Sequence, residues 1–351
     1  MMKKKIRQIV IGITFLFCGI STGCGKGSAE ENIQAGMQQI QNHQYEEAMA
    51  SFETAVAENE NPRLIARGRG IASLGMTNYE DAITYLTEAL GYSRFIVDET
   101  DYDINYYLAD AYTKSGDLAK ASEIYTNILA LRPKEADALF LRGKNSLLLG
   151  NYESAVADFE DALSINKDEY ELRIEIAGVL SQTGYREEGQ KYLSEFLAEN
   201  EKKLSDYDKG RISYYLGDFE SAKVYLEKAK TDDSENTILL LGKSYEQLGD
   251  FNYATSVYKN YLTQHEDAAL IYNQLGLCKL QSGEYGEALS AFNSAAAVEN
   301  SGMEQTIAFN QIVAYEYQGD FRQAAVLMKT YLQKYPDDED AVREYEFLIS
   351  R

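Results

Sequence analysis

From about residue 29 onward, apolar residues recur at three- and four-residue steps in stretches long enough to form helices. Residues 138–149 and 154–165 show this pattern on either side of Gly150. Such spacing places the apolar side chains on one face of an α-helix. The chain of 351 residues contains only 3 prolines, which also favours uninterrupted helices. The pattern therefore predicts an all-α protein.

The helical stretches are separated by a repeated turn, of which Gly150–Ala155 is a complete example. Its glycine can adopt the left-handed conformation that ends a helix, and the polar residue that follows suits a helix start. The first two units keep the aromatic residue and the alanine without the glycine (Tyr45 with Ala48, Tyr79 with Ala82). The turn glycines are separated by 34, 34, 33, 32, 34 and 36 residues: Gly116, Gly150, Gly184, Gly217, Gly249, Gly283 and Gly319.

Each unit also repeats two small residues and one large residue. The small residues of the first helices are Gly36, Gly70, Ala109, Gly143, Ala177, Gly210, Gly242 and Gly276. Those of the second helices are Ala48, Ala82, Ala121, Ala155, Gly189, Ala222, Ala254, Ala288 and Ala324. The large residues follow four positions later: Phe52, Leu86, Tyr125, Phe159, Leu193, Leu226, Tyr258, Phe292 and Met328. A period of about 34 residues with this content resembles the tetratricopeptide repeat, in which small residues let the two helices pack closely.

The resemblance implies about nine helix–turn–helix units over residues 32–336, stacked as an α-solenoid in a right-handed superhelix. A polar-faced final helix over residues 337–351 would cap the last unit, because that unit has no neighbour to cover its apolar side. The chain departs from the family pattern in lacking tryptophan and in having Ile312 where a small residue is usual.

Two intervals between repeats are longer than the others. The alanines of the second and third units, Ala82 and Ala121, are 39 residues apart, which predicts an inserted loop near residues 91–101. A smaller insertion is predicted near residues 300–303, where the corresponding interval is 36 residues.

The first thirty residues have a different pattern. Met1–Arg7 is basic, and Ile9–Ile20 is an apolar run of about twelve residues. A membrane-spanning helix needs roughly 20 residues, so the run has the size of a signal-peptide core instead. The sequence Ser21-Thr22-Gly23-Cys24 follows and resembles the lipobox of bacterial lipoproteins, although that family usually has leucine in place of Ser21.

In the lipoprotein family the cysteine thiol receives a diacylglyceryl group and the signal is cut just before it. The resemblance thus implies a signal peptide over residues 1–23, lipidation of Cys24 and a short linker over residues 24–31. Two acyl chains would anchor the protein stably to the extracytoplasmic face of a cell membrane. Ordinary secretion with an incidental Cys24 is the alternative.

Net charge limits the choice of partners. The whole chain has a formal charge of -22, and without residues 1–23 it keeps 30 basic against 56 acidic residues. The negative electrostatic field of such a chain repels nucleic acid and anionic lipid headgroups, so no nucleic-acid partner is expected. It attracts basic partners, although solubility alone explains it equally well.

The sequence contains no arrangement of residues typical of a metal or cofactor site. His43 and His265 are far apart, and the mature chain keeps at most one free cysteine, Cys278, so no zinc site can be assembled. Cys278 lies among leucines and is expected to be a buried small residue. We therefore expect no metal, no cofactor and no enzymatic activity.

Two short segments imitate known ligand loops. Residues 101–105 alternate acids like the start of a calcium loop, but Tyr106 and Tyr112 replace the required glycine and glutamate. These acids are expected to solvate the inserted loop. Gly242-Lys243-Ser244 imitates the end of a phosphate loop, but the segment lies in the middle of a predicted helix and lacks the earlier glycine.

The resemblance to tetratricopeptide repeats also implies a concave groove lined by the first helices, which commonly holds a peptide or a helix of a partner. A protein-interaction scaffold or adaptor of the cell envelope is the resulting hypothesis. The alternative is a lipoprotein that binds glycans or small ligands, with groove tyrosines as stacking platforms. By repeat phase the groove residues are Tyr106, Asp110, Phe140, Lys144, Ile174, Tyr207, Arg211, Tyr214, Lys243 and Asn273.

Overall fold

The computed structural model describes residues 30–93, 96–165, 170–232, 234–299, 301–336 and 338–350. These residues form nineteen α-helices and one short 3-10 helix, Lys230–Asp232, and none of them lies in a β-strand. The predicted all-α fold is confirmed. The predicted signal peptide and Cys24 lie outside the described residues and stay predictions. Within the described ranges, every helix is too short or too polar to cross a membrane.

The described chain divides after Asn200 into two compact units. The N-terminal unit, up to Asn200, contains α1–α10, and the C-terminal unit, from Glu201 onward, contains α11–α19. The helices of the N-terminal unit are α1 Glu31–Gln41, α2 Tyr45–Ala57, α3 Pro62–Gly75, α4 Tyr79–Gly91, α5 Glu99–Ser115, α6 Leu118–Leu131, α7 Ala136–Leu148, α8 Tyr152–Ile165, α9 Tyr170–Gln182 and α10 Arg186–Asn200. Those of the C-terminal unit are α11 Asp206–Leu216, α12 Phe219–Ala229, α13 Glu235–Gln247, α14 Phe251–Leu262, α15 Ala269–Gln281, α16 Tyr285–Ala296, α17 Glu304–Gln318, α18 Phe321–Lys334 and α19 Glu339–Ile349.

The helices α1–α18 form nine sequential hairpins, as the repeat count predicted. Within each unit the first helices of neighbouring repeats also contact each other, for example α1 with α3 and α13 with α15. Contacts of similar extent between second helices are not found among the described residues. The first helices therefore form the inner layer of each unit, since that is the side on which neighbouring repeats approach most closely.

The two helices of a hairpin meet at the small and large residues found in the sequence. In the seventh repeat, a Cβ atom on Gly242 would lie 2.2 Å from Cε1 of Tyr258. In the fourth repeat, a Cβ atom on Gly143 would lie 2.7 Å from Cε1 of Phe159. Both aromatic rings are fully buried. The small residues of the first helices thus give room to the large residues of the second helices, as predicted.

The turns follow the sequence pattern closely. Gly217, which ends α11, has φ = 80°, and the side chain of Asp218 then accepts a hydrogen bond from the backbone N–H of Ser221 at the start of α12. In the first two repeats, where glycine is missing, His43 and Thr77 adopt positive φ angles of 58° and 61°. The left-handed turn is therefore kept even where the residue type does not favour it.

The predicted insertions lie between repeats. The second repeat ends with α4 at Gly91 and the third begins with α5 at Glu99, while α16 ends at Ala296 and α17 begins at Glu304. The last helix, α19, buries Ala341 and Leu348. Its exposed residues include Val342 as well as charged side chains, so this face is less polar than the sequence predicted.

Candidate functional site

All ten predicted groove residues lie on first helices. They are Tyr106 and Asp110 on α5, Phe140 and Lys144 on α7, Ile174 on α9, Tyr207, Arg211 and Tyr214 on α11, Lys243 on α13 and Asn273 on α15. The first three helices belong to the N-terminal unit and the other three to the C-terminal unit, so the two inner faces are described separately.

Three of the ten are buried and offer little surface to a ligand. Ile174 is enclosed, and the ring of Phe140 packs at 5.9 Å from that of Phe159. The side-chain oxygen of Asn273 accepts a hydrogen bond from Nδ2 of Asn310 on α17 at 3.0 Å. These three residues join helices together. The other seven are half-buried, and their role in ligand binding stays a prediction.

On the N-terminal inner face, charged groups lie beside tyrosines. The ring of Tyr106 lies 6.1 Å from that of Tyr125, and burial raises the pKa of the Tyr106 hydroxyl. The carboxylate of Asp110 forms an ion pair with Lys114 at 2.9 Å, one helical turn away. Lys144 lies one repeat further on α7. This face therefore combines neutral hydroxyl groups with charged side chains.

On the C-terminal inner face, Tyr214 and Lys243 lie partly below the surface. The ring of Tyr214 makes edge contacts with Tyr215 and Phe219, both at 5.5 Å, and burial raises the pKa of its hydroxyl to about 12. Burial lowers the pKa of the Lys243 ammonium group, which Glu246 partly offsets.

Glu246, which the sequence reasoning missed, is a buried polar residue where α13 meets α14 and α15. Its carboxylate is buried and accepts hydrogen bonds from the hydroxyl of Tyr258 at 2.6 Å and from Nε2 of Gln274 on α15 at 3.0 Å. Burial raises the pKa of this carboxyl group. The available signal was its position four residues after Gly242, on the side of α13 that faces the hairpin partner.

The acidic segment on α5 has a structural role. Asp101 is buried, closes the capping box of α5 by accepting from the backbone N–H of the N-cap residue Asp98 at 2.9 Å, and pairs with Arg63 on α3. Asp103, two residues further along α5, pairs with Arg67, which lies one turn after Arg63 on α3. The expectation that these acids solvate the loop is therefore wrong for Asp101. In the described part of the chain, no group of three His, Cys, Asp or Glu side chains is placed to hold a metal ion.

Two further sequence predictions concern α13 and α15. Cys278 is fully buried, as predicted, and burial raises the pKa of its thiol to about 12. A thiol in this state is a poor nucleophile. Gly242, Lys243 and Ser244 lie in the middle of α13, a position unsuited to a phosphate loop.

Comparison with protein families supports the same architecture. Four family models described as tetratricopeptide repeat match the chain, at residues 73–144, 239–303, 136–169 with 207–231, and 308–338. Tetratricopeptide repeats are thus confirmed in both units. This fold suggests a protein-interaction scaffold. Proteins of this class generally bind proteins or peptides and are generally not enzymes.

Individual relatives are distant. The chain is 22% identical over 292 residues to the BBSome complex member BBS4 of Bos taurus, covering 69% of this chain and 56% of that protein. It is 25% identical over 226 residues to BBS4 of Mus musculus, covering 54% of this chain and 44% of that protein. The chain therefore spans about half the length of these relatives.

A crystal structure of a tetratricopeptide repeat protein from Parabacteroides merdae matches with 19% identity and a TM-score of 0.44, covering 82% of this chain and 98% of that one.

Proposed function

We propose that the protein is a lipoprotein of the cell envelope, anchored through Cys24 on the extracytoplasmic face of the membrane, whose repeats form a scaffold for protein partners. The anchor rests on the signal-like segment and the Ser21–Cys24 sequence. The scaffold role rests on the repeat fold.

The observation that carries the scaffold role is the character of the two inner faces. The half-buried residues on the first helices combine tyrosine rings with charged groups, as in Tyr106 with Asp110 and Tyr214 with Lys243. Tyrosine rings are enriched in protein-interaction surfaces and often carry much of the binding energy. Residues 30–200 carry 31 acidic against 14 basic side chains, which favours basic partners.

The scaffold role can be tested by photo-crosslinking in the native cells. The photoreactive amino acid p-benzoylphenylalanine replaces Tyr207 or Tyr214 on α11 in two separate variants, and Tyr253 on the second helix α14 serves as the control. We expect the α11 variants to form a covalent adduct with a discrete protein that the Tyr253 variant does not form. Equal adducts at all three positions, or competition by soluble cell-wall glycans, would contradict the scaffold role on this face.

The anchor needs a separate experiment. In cells that express Cys24→Ala, we expect the protein to leave the membrane fraction and to lose incorporation of a radiolabelled fatty acid. Retention of the Cys24→Ala protein in the membrane with unchanged labelling would contradict lipidation at Cys24, without affecting the scaffold role.

A further inference from the structure

Apolar side chains are concentrated on the surface where the inserted loop meets α6. Seven large apolar side chains are exposed among the described residues of the N-terminal unit, and four lie here. Ile96 is 82% exposed and Val97 is 48% exposed on the loop, and Leu131 is 60% exposed at the end of α6. We call Tyr92, Ile96, Val97 and Leu131 the insert surface. Several exposed large apolar side chains in one region are a common mark of an interaction site.

Val97 and Leu131 of the insert surface line a cavity of about 240 Å³. Its apolar wall comes from Leu90 of α4, Val97 of the loop, and Ile124, Ile128 and Leu131 of α6. The side chain of Asn127 lies at the same cavity and is exposed. Such a cavity can take one aliphatic or aromatic side chain, with a polar group available beside it.

Both ends of the loop are held in place by polar contacts. At the first end, the hydroxyl of Ser93 donates to the carboxylate of Asp101. At the second end, Arg63 on α3 forms an ion pair with Asp98 at 2.8 Å. Just beyond it, Arg132 pairs with Glu99. Val97 therefore lies next to a residue that is held by an ion pair, which lowers the entropy cost of binding at this position.

Charge selects the kind of partner. The phenol of Tyr92 donates to the exposed carboxylate of Glu88 at 3.3 Å, and Glu123 is exposed one helical turn before Asn127 on α6. The N-terminal unit as a whole is strongly acidic. This field opposes an anionic lipid surface and favours a partner with basic residues next to its apolar anchor.

We propose that the insert surface docks a short protein segment that places one aliphatic or aromatic side chain in the cavity and carries lysine or arginine beside it. This surface is formed by a loop between repeats and by the second helices α4 and α6, and Asp101, Tyr102 and Asn105 of the first helix α5 complete the lining of its cavity. The proposal does not depend on the scaffold role of the inner face.

A displayed library of random twelve-residue peptides tests the proposal on the purified protein. The test variant is Val97→Ser with Leu131→Ser. The matched control is Val56→Ser with Leu148→Ser, because these two side chains are each 49% exposed in the same unit, outside the insert surface. Circular dichroism and urea unfolding check that both variants fold like the wild type.

We expect the selection to enrich peptides with an apolar residue flanked by lysine or arginine. Their affinity, measured by fluorescence polarisation, should fall at least tenfold on the test variant, remain unchanged on the control, and be lost when the basic residues are replaced by glutamate. The proposal is overturned if no such peptide is enriched or if both variants bind equally. It is also overturned if Val97 and Leu131 instead mediate binding to phosphatidylglycerol vesicles or self-association of the wild type.

Discussion

In the N-terminal unit the first helices α3 and α5 are joined by ion pairs, whereas in the C-terminal unit the first helices α13 and α15 are joined by a hydrogen bond to a buried carboxylate. Arg67 of α3 pairs with Asp103 of α5, whose carboxylate is partly exposed to water. By contrast, Glu246 of α13 and Gln274 of α15 form their hydrogen bond out of contact with solvent. The same hairpin thus tolerates two ways of placing polar groups between repeats.

This difference predicts which polar substitutions will destabilise each unit. A partly exposed ion pair contributes little, because water replaces either partner when the other is removed. A buried carboxylate that loses its donor cannot recover that interaction from solvent. We therefore expect the C-terminal unit to respond strongly to single polar substitutions, and the N-terminal unit to respond weakly to changes at its exposed pairs.

The largest expected effect tests the packing that both units share. Replacing Gly242 or Gly143 by alanine places a Cβ atom against the ring of Tyr258 or Phe159, and should lower the free energy of unfolding by about 3 kcal/mol. Urea unfolding followed by hydrogen exchange in peptides from the affected unit measures the loss. Gly178→Ala is the control, since no atom lies within 4 Å of its added Cβ and alanine should stabilise α9 by about 0.5–1 kcal/mol. A loss at one glycine only would show that the two units pack differently.

The next largest effect compares the buried hydrogen bond of the C-terminal unit with the partly exposed ion pair of the N-terminal unit. Gln274→Leu removes a donor from the buried carboxylate of Glu246 and should lower the free energy of unfolding by about 2 kcal/mol. Arg67→Met keeps the apolar stem but removes the ion pair with Asp103, and should cost less than about 1 kcal/mol. Urea midpoints of the two variants provide the comparison. Equal losses would mean that solvent exposure does not decide the strength of these contacts.

A smaller effect concerns acid sensitivity of the N-terminal unit. Hydrogen bonds from Arg63 lower the pKa of Asp98 to about 2, below its ordinary value of 3.8. The stabilisation from this carboxylate is therefore present above about pH 4 and is lost as the pH falls toward 2. Asp98→Asn should be less stable than wild type at pH 7, with a difference that narrows at pH 2, while asparagine still caps α5. Thermal unfolding across this range measures it, and a constant difference would contradict the shift.

The smallest expected effect is a pH dependence of stability in the C-terminal unit. Its sign is opposite to that at Asp98, because stability is lost as the pH rises. Burial raises the pKa of Glu246 above its ordinary value of 4.5, so the folded state holds this proton more tightly than the unfolded state. The carboxyl group therefore contributes most at low pH and loses stabilisation as the pH rises above about 4.5. Glu246→Gln should remove this component of the pH dependence. Hydrogen exchange of α13 from pH 4 to 8 provides the measurement, and identical profiles for both proteins would exclude a raised pKa.

The sequence alone determined the repeat, its phase and the pairing of small with large residues. These features follow from local rules, because helix periodicity and turn glycines act over a few residues and recur in each unit. The same rules placed all ten groove candidates on first helices.

Only the tertiary structure decided which inner residues are exposed and which polar groups meet. Phe140, Ile174 and Asn273 have the same repeat phase as the half-buried Tyr106 and Tyr207, but neighbouring helices cover them. Arg63 and Asp101 are 38 residues apart, and their pairing depends on how α3 lies against α5. Burial and charge pairing depend on the distance between side chains in space, and a one-dimensional pattern records only their spacing along the chain.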